Sequence, residues 1–157
     1  MSDPDRRSLE DLLHRFAFAI DERDWAALEA CLDDRVSVRL DETVGGSDED
    51  AGPRPAAERV EEARSFFGKL DATHHQLTVC RASVDGDRAE LLTYFRAGHF
   101  KAHVIGGSTF DQVGHYVHDC VRRPDGWRIA GWRQTIRYTE GNAKLLAFGG
   151  EGLEDDG

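Results

Sequence analysis

Two tight turns between long alternating runs in the second half of the chain constrain its fold more than any other feature. Asp85-Gly86-Asp87 separates the run Leu77 to Val84 from Ala89 to His99, and Pro124-Asp125-Gly126 separates Phe110 to Arg122 from Trp127 to Tyr138. An Asp-Gly step between alternating segments is a strong hairpin signal, because glycine accepts the positive φ that closes such a turn. The four runs therefore predict a meander of antiparallel strands. On the second run Leu91, Thr93, Phe95, Ala97 and His99 share one face, opposite Leu92, Tyr94 and Arg96, since side chains alternate along a strand.

A sheet with one apolar face needs a cover, and the first third of the chain supplies it. Leu9, Leu12, Leu13, Phe16, Ala17 and Ile20 recur at helical spacing, which predicts an amphipathic helix capped by Ser8, with Asp11 in an acidic first turn. Asp24 predicts a second cap, before a helix whose buried side is Trp25, Leu28 and Leu32. Asp33-Asp34-Arg35 breaks that helix, and Val36, Val38 and Leu40 alternate as a first strand. Asp41 to Pro55 reads as a mobile loop, and Ala56 to Leu70 as a third helix through Val60, Ala63, Phe66 and Phe67. Lys101 to Thr109 is a glycine-bearing connection, and beyond Thr139 a small helix over Asn142 to Phe148 leads into a frayed acidic end. The layout is α+β: helices gathered on one face of a bent antiparallel sheet, with an internal pocket between the layers. A single domain is expected over residues 1–157, its core at about 8–139 and a tail at 140–157.

Composition narrows the class. With 39% hydrophobic and 32% charged residues the chain is an ordinary globular domain. A net charge of −10, concentrated at Asp41 to Asp50 and Glu151 to Asp156, argues against nucleic acid as a partner, which demands a basic face. Cys31, Cys80 and Cys120 lie far apart with no C-x-x-C pair, which predicts buried thiols in a reducing compartment. The stretch Met1 to Arg7 carries no signal-peptide core, and no run is long enough to cross a bilayer. A cytoplasmic protein with no membrane partner is expected. There is no Walker loop, G-x-S-x-G or dinucleotide fingerprint, and the seven histidines form no H-E-x-x-H. Neither a metal nor a cofactor is expected.

The stretch with most chemistry is Asp71-Ala-Thr-His-His-Gln-Leu-Thr78. His74 and His75 must point to opposite faces of their strand, so one of them can face the pocket as an acid–base group. Asp21 stands where the first helix stops. It either ends the helix in solvent or hydrogen-bonds one histidine ring N–H, leaving the other ring nitrogen as a base. His99 lies on the adjacent strand and can present a second imidazole. His115 and His118 have opposite parity, so at most one faces inward; Tyr116 accompanies His118, and Asp119 accompanies His115. Arg137 and Tyr138 fall at the end of the last strand, where they can close the mouth of the cavity. Phe16, Phe18, Trp25 and Phe95 are the expected apolar lining.

Four pieces in order, Ala19-Ile-Asp-Glu-Arg-Asp-Trp25, Thr73-His-His75, Val84-Asp-Gly-Asp-Arg-Ala89 and Asp125-Gly-Trp-Arg-Ile129, resemble the SnoaL-like branch of the nuclear transport factor 2-like superfamily. The resemblance spans Leu9 to Tyr138 and implies a cone-shaped barrel, a curved sheet folded around a long N-terminal helix. Within the superfamily the chain is most similar to the group of scytalone dehydratase, bile-acid dehydratase and hexachlorocyclohexane dehydrochlorinase. Those enzymes use no cofactor and remove a proton with a histidine–aspartate pair. Carried onto this sequence, the pair is Asp21 with His75, counting back from the Asp85-Gly86 turn, and a one-residue bulge would make it His74. His99 matches a second pocket histidine, and Ile136-Arg-Tyr138 resembles a strand-end motif of the dehydratases. The tyrosines that dehydratases present from the first helix are missing, with Phe16 and Phe18 in that region, so a scytalone-type mechanism does not transfer whole.

Three functions follow as expectations. The first is a dehydratase-like lyase or isomerase on a small apolar, polycyclic or polyketide-like molecule. There His75 is the base, Asp21 its orienting partner, and His99 with Tyr116 or His118 the group that meets oxyanion or leaving-group charge. The second is a non-catalytic hydrophobic-ligand or assembly protein. The third is a cyclase or epoxide-opening enzyme, favoured if Asp119 faces inward. Relatives of this kind commonly form dimers or trimers through the outer face of the sheet, so a homodimer or homotrimer is expected.

Overall fold

The structure is a computed structural model describing residues 2–44, 46 and 52–147. The acidic stretch 47–51 and the tail from residue 148, expected as loop and frayed end, lie outside the described residues. Helix α1 spans Asp3–Asp21, α2 Trp25–Ala30 and α3 Ala56–Phe67; the strands are β1 Leu32–Arg39, β2 Arg54–Pro55, β3 Ala72–Asp85, β4 Arg88–Phe100, β5 Thr109–Arg123 and β6 Gly126–Gly141; a short α4 covers Lys144–Ala147. No helix among the described residues is long and apolar enough to cross a membrane.

The first helix begins earlier than its apolar stripe suggests. Ser2 caps it, accepting the Asp5 N–H, and Pro4 sits in the first turn, where its missing N–H costs nothing. Ser8 is therefore inside the helix. Asp24 caps α2 as expected, accepting the Ala27 N–H at 3.0 Å. That helix stops at Ala30, so Leu32 belongs to β1, not to a helical face. The third helix ends at Phe67 with Gly68 as its cap.

The six strands form one curved, unclosed sheet in the order β2-β1-β6-β5-β4-β3. The expected antiparallel hairpins join β3, β4, β5 and β6. Two pairings depart from expectation. Arg54–Pro55, expected as the end of a loop, forms β2 antiparallel to Arg35 and Val36 of β1. Strand β1 runs parallel to β6, with Val38 opposite Trp132, so the sheet is mixed. It is also open, with β2 and β3 as its edges. Register shifts interrupt the ladders at Val79/Arg81, Val113/Gly114 and Asp119/Cys120, and such bulges bend a sheet and increase its twist. Gly114 is obligatory at one of them, because a Cβ there would overlap the Thr135 carbonyl oxygen.

The concave face wraps α1. Leu9, Leu12 and Leu13 are wholly buried and join Leu28, Val36, Leu91, Cys120, Trp127 and Ile129 in the main core. Each such aliphatic side chain contributes about 1.5–3 kcal/mol by leaving water. A smaller cluster of Leu70, Val104, Phe110 and Leu145, with Phe67 packed on it, forms a second core. Cys31 and Cys120 are buried as expected, but Cys80 is exposed: it lies at a bulge on an edge strand, where alternation no longer dictates its side.

Candidate active site

Alternation, its parity reversed by the bulge at Cys80, selects the inward set: such a bulge was expected to bring in His74, but a count of two back from Val84 reaches His74 and the bulge shifts the inward place to His75. From β3 the set takes Thr73, His75, Leu77 and Val79, whose partners on β4 are His99, Ala97, Phe95 and Thr93. His74 falls on the outer face and is exposed. The C-terminal end of α1 delivers Asp21 to the start of β3, where three donors converge on one carboxylate. The His75 ring Nδ1 lies 2.7 Å from Asp21 Oδ1, the Thr73 hydroxyl donates to the same oxygen at 2.9 Å, and the His75 backbone N–H donates to Oδ2 at 2.8 Å. The side chains of His75 and Asp21 are only 9% and 15% exposed. Burial alone would raise the Asp21 carboxyl, but the bonds from the His75 ring, the His75 N–H and Thr73 outweigh it and hold the group below its ordinary value. Asp21 is thus an anion, and the short contact to His75 makes Nδ1 the protonated ring nitrogen. Nε2 then keeps its lone pair.

His99 is buried on β4, its ring 6.2 Å from that of His75 and stacked on Phe67. Its Nδ1–H donates to the Phe110 carbonyl at 2.9 Å, so its Nε2 also has no proton. Burial pushes His99 down to about 4, which keeps the ring neutral at ordinary pH.

Farther along the same concave face, Phe16 of α1 packs edge-on against Trp132 and His118, and Phe95 stacks on Tyr116 with ring centroids 4.1 Å apart. His118 is buried, with Nδ1 3.4 Å from the Thr93 hydroxyl, and burial lowers it to about 3. The Tyr116 hydroxyl accepts from Gln134 Nε2 at 3.4 Å, which leaves its own proton free to donate. Burial raises Tyr116 to about 12, so the phenol stays protonated. The structure therefore supplies from β5 a phenol that the first helix lacks.

The structure brings Asp21, His75 and His99 together near one end of the curved sheet's concave face and sets Phe16, Phe95, Tyr116 and His118 farther along that face. The other expected residues lie elsewhere. Phe18 is 67% exposed, because it sits about 200° around the helix from Phe16. Trp25 packs beneath the guanidinium of Arg64 on α3. Arg137 lies over the exposed ring of Tyr94 on the convex face, one residue past Ile136, which pairs with inward Gly114, and the bulge at that point turns Tyr138 outward as well, so neither lies on the concave side. Asp119 is exposed on the outer face. Two surface depressions, one along α3 at Glu58, Glu62 and Phe66 and one around Asp5, Ser8 and Arg122, lie away from these residues. Sequence reasoning missed Thr73, whose parity with His75 was available, and Arg23, which donates to the Thr73 hydroxyl at 2.8 Å and carries no local signal.

The family model of the SnoaL-like domain matches residues 3–133. The chain belongs to the SnoaL-like domain family. No curated protein matches it. Among solved structures, a protein of Kribbella flavida is 29% identical with a TM-score of 0.85, covering 92% of this chain and 98% of its own. A hexachlorocyclohexane dehydrochlorinase of LinA type 3 from Novosphingobium barchaimii is 17% identical at a TM-score of 0.67, with 90% and 95% covered. A candidate scytalone dehydratase from Novosphingobium aromaticivorans is 17% identical at 0.68, with 87% of each chain covered. These matches place the SnoaL-like chain in the nuclear transport factor 2-like fold.

Proposed function

We propose that this SnoaL-like protein is a cofactor-independent lyase or isomerase that takes a proton from carbon in a small, largely apolar, polycyclic or polyketide-like molecule. The observation that carries the reading is the 2.7 Å contact between His75 Nδ1 and Asp21 Oδ1, which leaves Nε2 as the base. Proton removal makes an imidazolium beside an anionic carboxylate, and the pairing favours that charge. The dehydratase and dehydrochlorinase names among the structural neighbours are consistent with this chemistry.

In a β-hydroxy ketone, His75 Nε2 takes the proton on the carbon next to the carbonyl, and the electron pair moves into the carbonyl oxygen. The Tyr116 O–H donates to that oxygen, an interaction that strengthens as charge develops. Its stacking partner Phe95 pairs with Leu77, two residues from His75 on the inward face of β3. The enolate then forms the C=C bond as the C–O bond breaks. The proton held on His75 leaves with the hydroxide as water. His99, with Nδ1–H committed to Phe110, accepts a hydrogen bond from the substrate hydroxyl and does not protonate it, a revision of the role expected from sequence. With Asp119 exposed on the outer face, the cyclase or epoxide-opening reading loses its carboxylate.

The test is turnover of a panel of cyclic β-hydroxy ketones by the wild type and by His75→Ala. Water loss by the wild type that disappears in the variant, with the fold intact, supports the reading. Near-normal activity in His75→Ala would sink it. Binding of the panel without turnover, flat between pH 5 and 8, would leave a ligand-binding protein.

A further inference from the structure

Arg23 occupies a backbone conformation that L-residues avoid. Its φ is +59°, and it follows Glu22, the C-cap of α1, whose N–H bonds to the Phe18 carbonyl. A left-handed residue just past a helix end is usually glycine, because any Cβ there is strained. An arginine in that place keeps the strain and adds a side chain. That side chain turns back under the helix. Nη1 donates to the Ile20 carbonyl and to the Thr73 hydroxyl, both at 2.8 Å.

The second of these bonds has a directional consequence. A threonine hydroxyl has one proton. With its oxygen accepting from Arg23, the proton is left to go to Asp21 Oδ1, the 2.9 Å bond already described. Arg23 thereby fixes which way the hydroxyl points and sets a positive charge close behind the carboxylate. Strained residues cluster where function requires them.

We propose that Arg23 is a positioning residue, held in a left-handed turn so that its guanidinium, through Thr73, sets the orientation and charge balance of the Asp21–His75 pair. The inference rests on the reading of that pair as the proton-transfer group. The titratable and charged groups facing His75 are Asp21 of α1, Arg23 beyond it and His99 of β4. Asp111 of β5 acts electrostatically on His99 but is paired with Arg96, and α3 sets the ring of Phe67 against His75 and that of Phe66 against His99. His99 stays neutral in the working range, so Arg23 is the cation opposing protonation of His75.

The experiment is Arg23→Gly, with Arg23→Lys as the conservative variant, followed by NMR titration of the His75 ring protons. Glycine suits the turn, so the melting temperature is expected to stay level or rise. Loss of the nearby cation favours the imidazolium, so the midpoint of the His75 titration rises by roughly half a unit or more, and Arg23→Lys restores much of it. Turnover, where present, loses its acid limb to higher pH by the same amount, with kcat falling more than KM changes. An unmoved His75 midpoint in a folded Arg23→Gly protein overturns the proposal. If Arg23→Gly does not fold, the proposal is overturned unless folded Arg23→Gln shows the same rise. The NMR readout needs no substrate, so a rise of the midpoint in a protein with no turnover supports the role of Arg23 and counts only against the enzyme reading.

Discussion

Replacing Asp21 with asparagine keeps shape and size but removes one acceptor from a group that serves three donors. If the new amide NH2 takes the place of Oδ1, it faces both the His75 ring nitrogen and the Thr73 hydroxyl. The ring then adopts the opposite tautomer, with Nε2 carrying a proton and unable to accept one. If the NH2 takes the place of Oδ2, it confronts the His75 backbone N–H, and two donors face each other. Either way one largely buried polar group loses its partner, at about 1–3 kcal/mol, or roughly 3–10 °C in melting temperature for a domain of this size. The catalytic loss is larger, about 10²–10⁴-fold in kcat, because the carboxylate sets the tautomer and stabilises the imidazolium. The assay pairs thermal unfolding with steady-state kinetics on any ketone turned over by the wild type. Turnover within about threefold of wild type in a folded Asp21→Asn protein would refute the reasoning.

Two further outcomes follow from the inner wall. Tyr116→Phe removes the only phenol donor named in the mechanism while leaving Gln134 near Gln112; kcat should fall about 10²-fold or more with a stability change within about 1 kcal/mol, and an unchanged kcat would remove Tyr116 from the mechanism. The second outcome is a loss of stability on mild acidification. His99, with an ordinary value of 6.5, is lowered to about 4 in the fold, so below pH 6.5 the unfolded chain binds a proton that the folded one refuses. The stability it contributes is whole above pH 6.5 and drains as pH falls toward 4, by roughly 3 kcal/mol at most. Urea unfolding across that window should show the decline, and His99→Gln should make it shallower by the His99 share while buried His118 keeps its own; an equal slope in the variant would show that His99 is not held neutral by burial.

Much of this architecture is written in local pattern. The inward row from Leu91 to His99 follows from strand alternation alone, and the Asp-Gly turn at Asp85 fixes where β3 and β4 meet. Alternation also required His74 and His75 to diverge, but a count of two back from Val84 turns His74 inward, and the bulge at Cys80 reverses that to bring in His75, where Asp21 arrives from α1. Neither the bulge nor that long-range contact has a local signature. The parallel seam between β1 and β6 is hidden for the same reason, since most of the chain separates its two strands. A count of two from Trp127 sets Arg137 inward, and the bulge between Asp119 and Cys120, which reverses that parity, is invisible to such a count. Phe18 could have been set aside from the sequence, as residues two apart on a helix do not share a face. The cap at Ser2 with Pro4 behind it was legible too, and was masked by the stronger apolar stripe that begins at Leu9.

The claim that everything else depends on is that Asp21 holds the proton on His75 Nδ1 and leaves Nε2 bare. Nitrogen-15 NMR of the labelled imidazole, taken on the neutral ring, measures this directly and needs no substrate. The wild-type ring is expected to carry its proton on Nδ1 and none on Nε2, and Asp21→Ala, which leaves Nδ1–H no acceptor, should lose that preference. A wild-type ring with its proton on Nε2 would contradict the claim, because the nitrogen assigned to accept the substrate proton would already carry one.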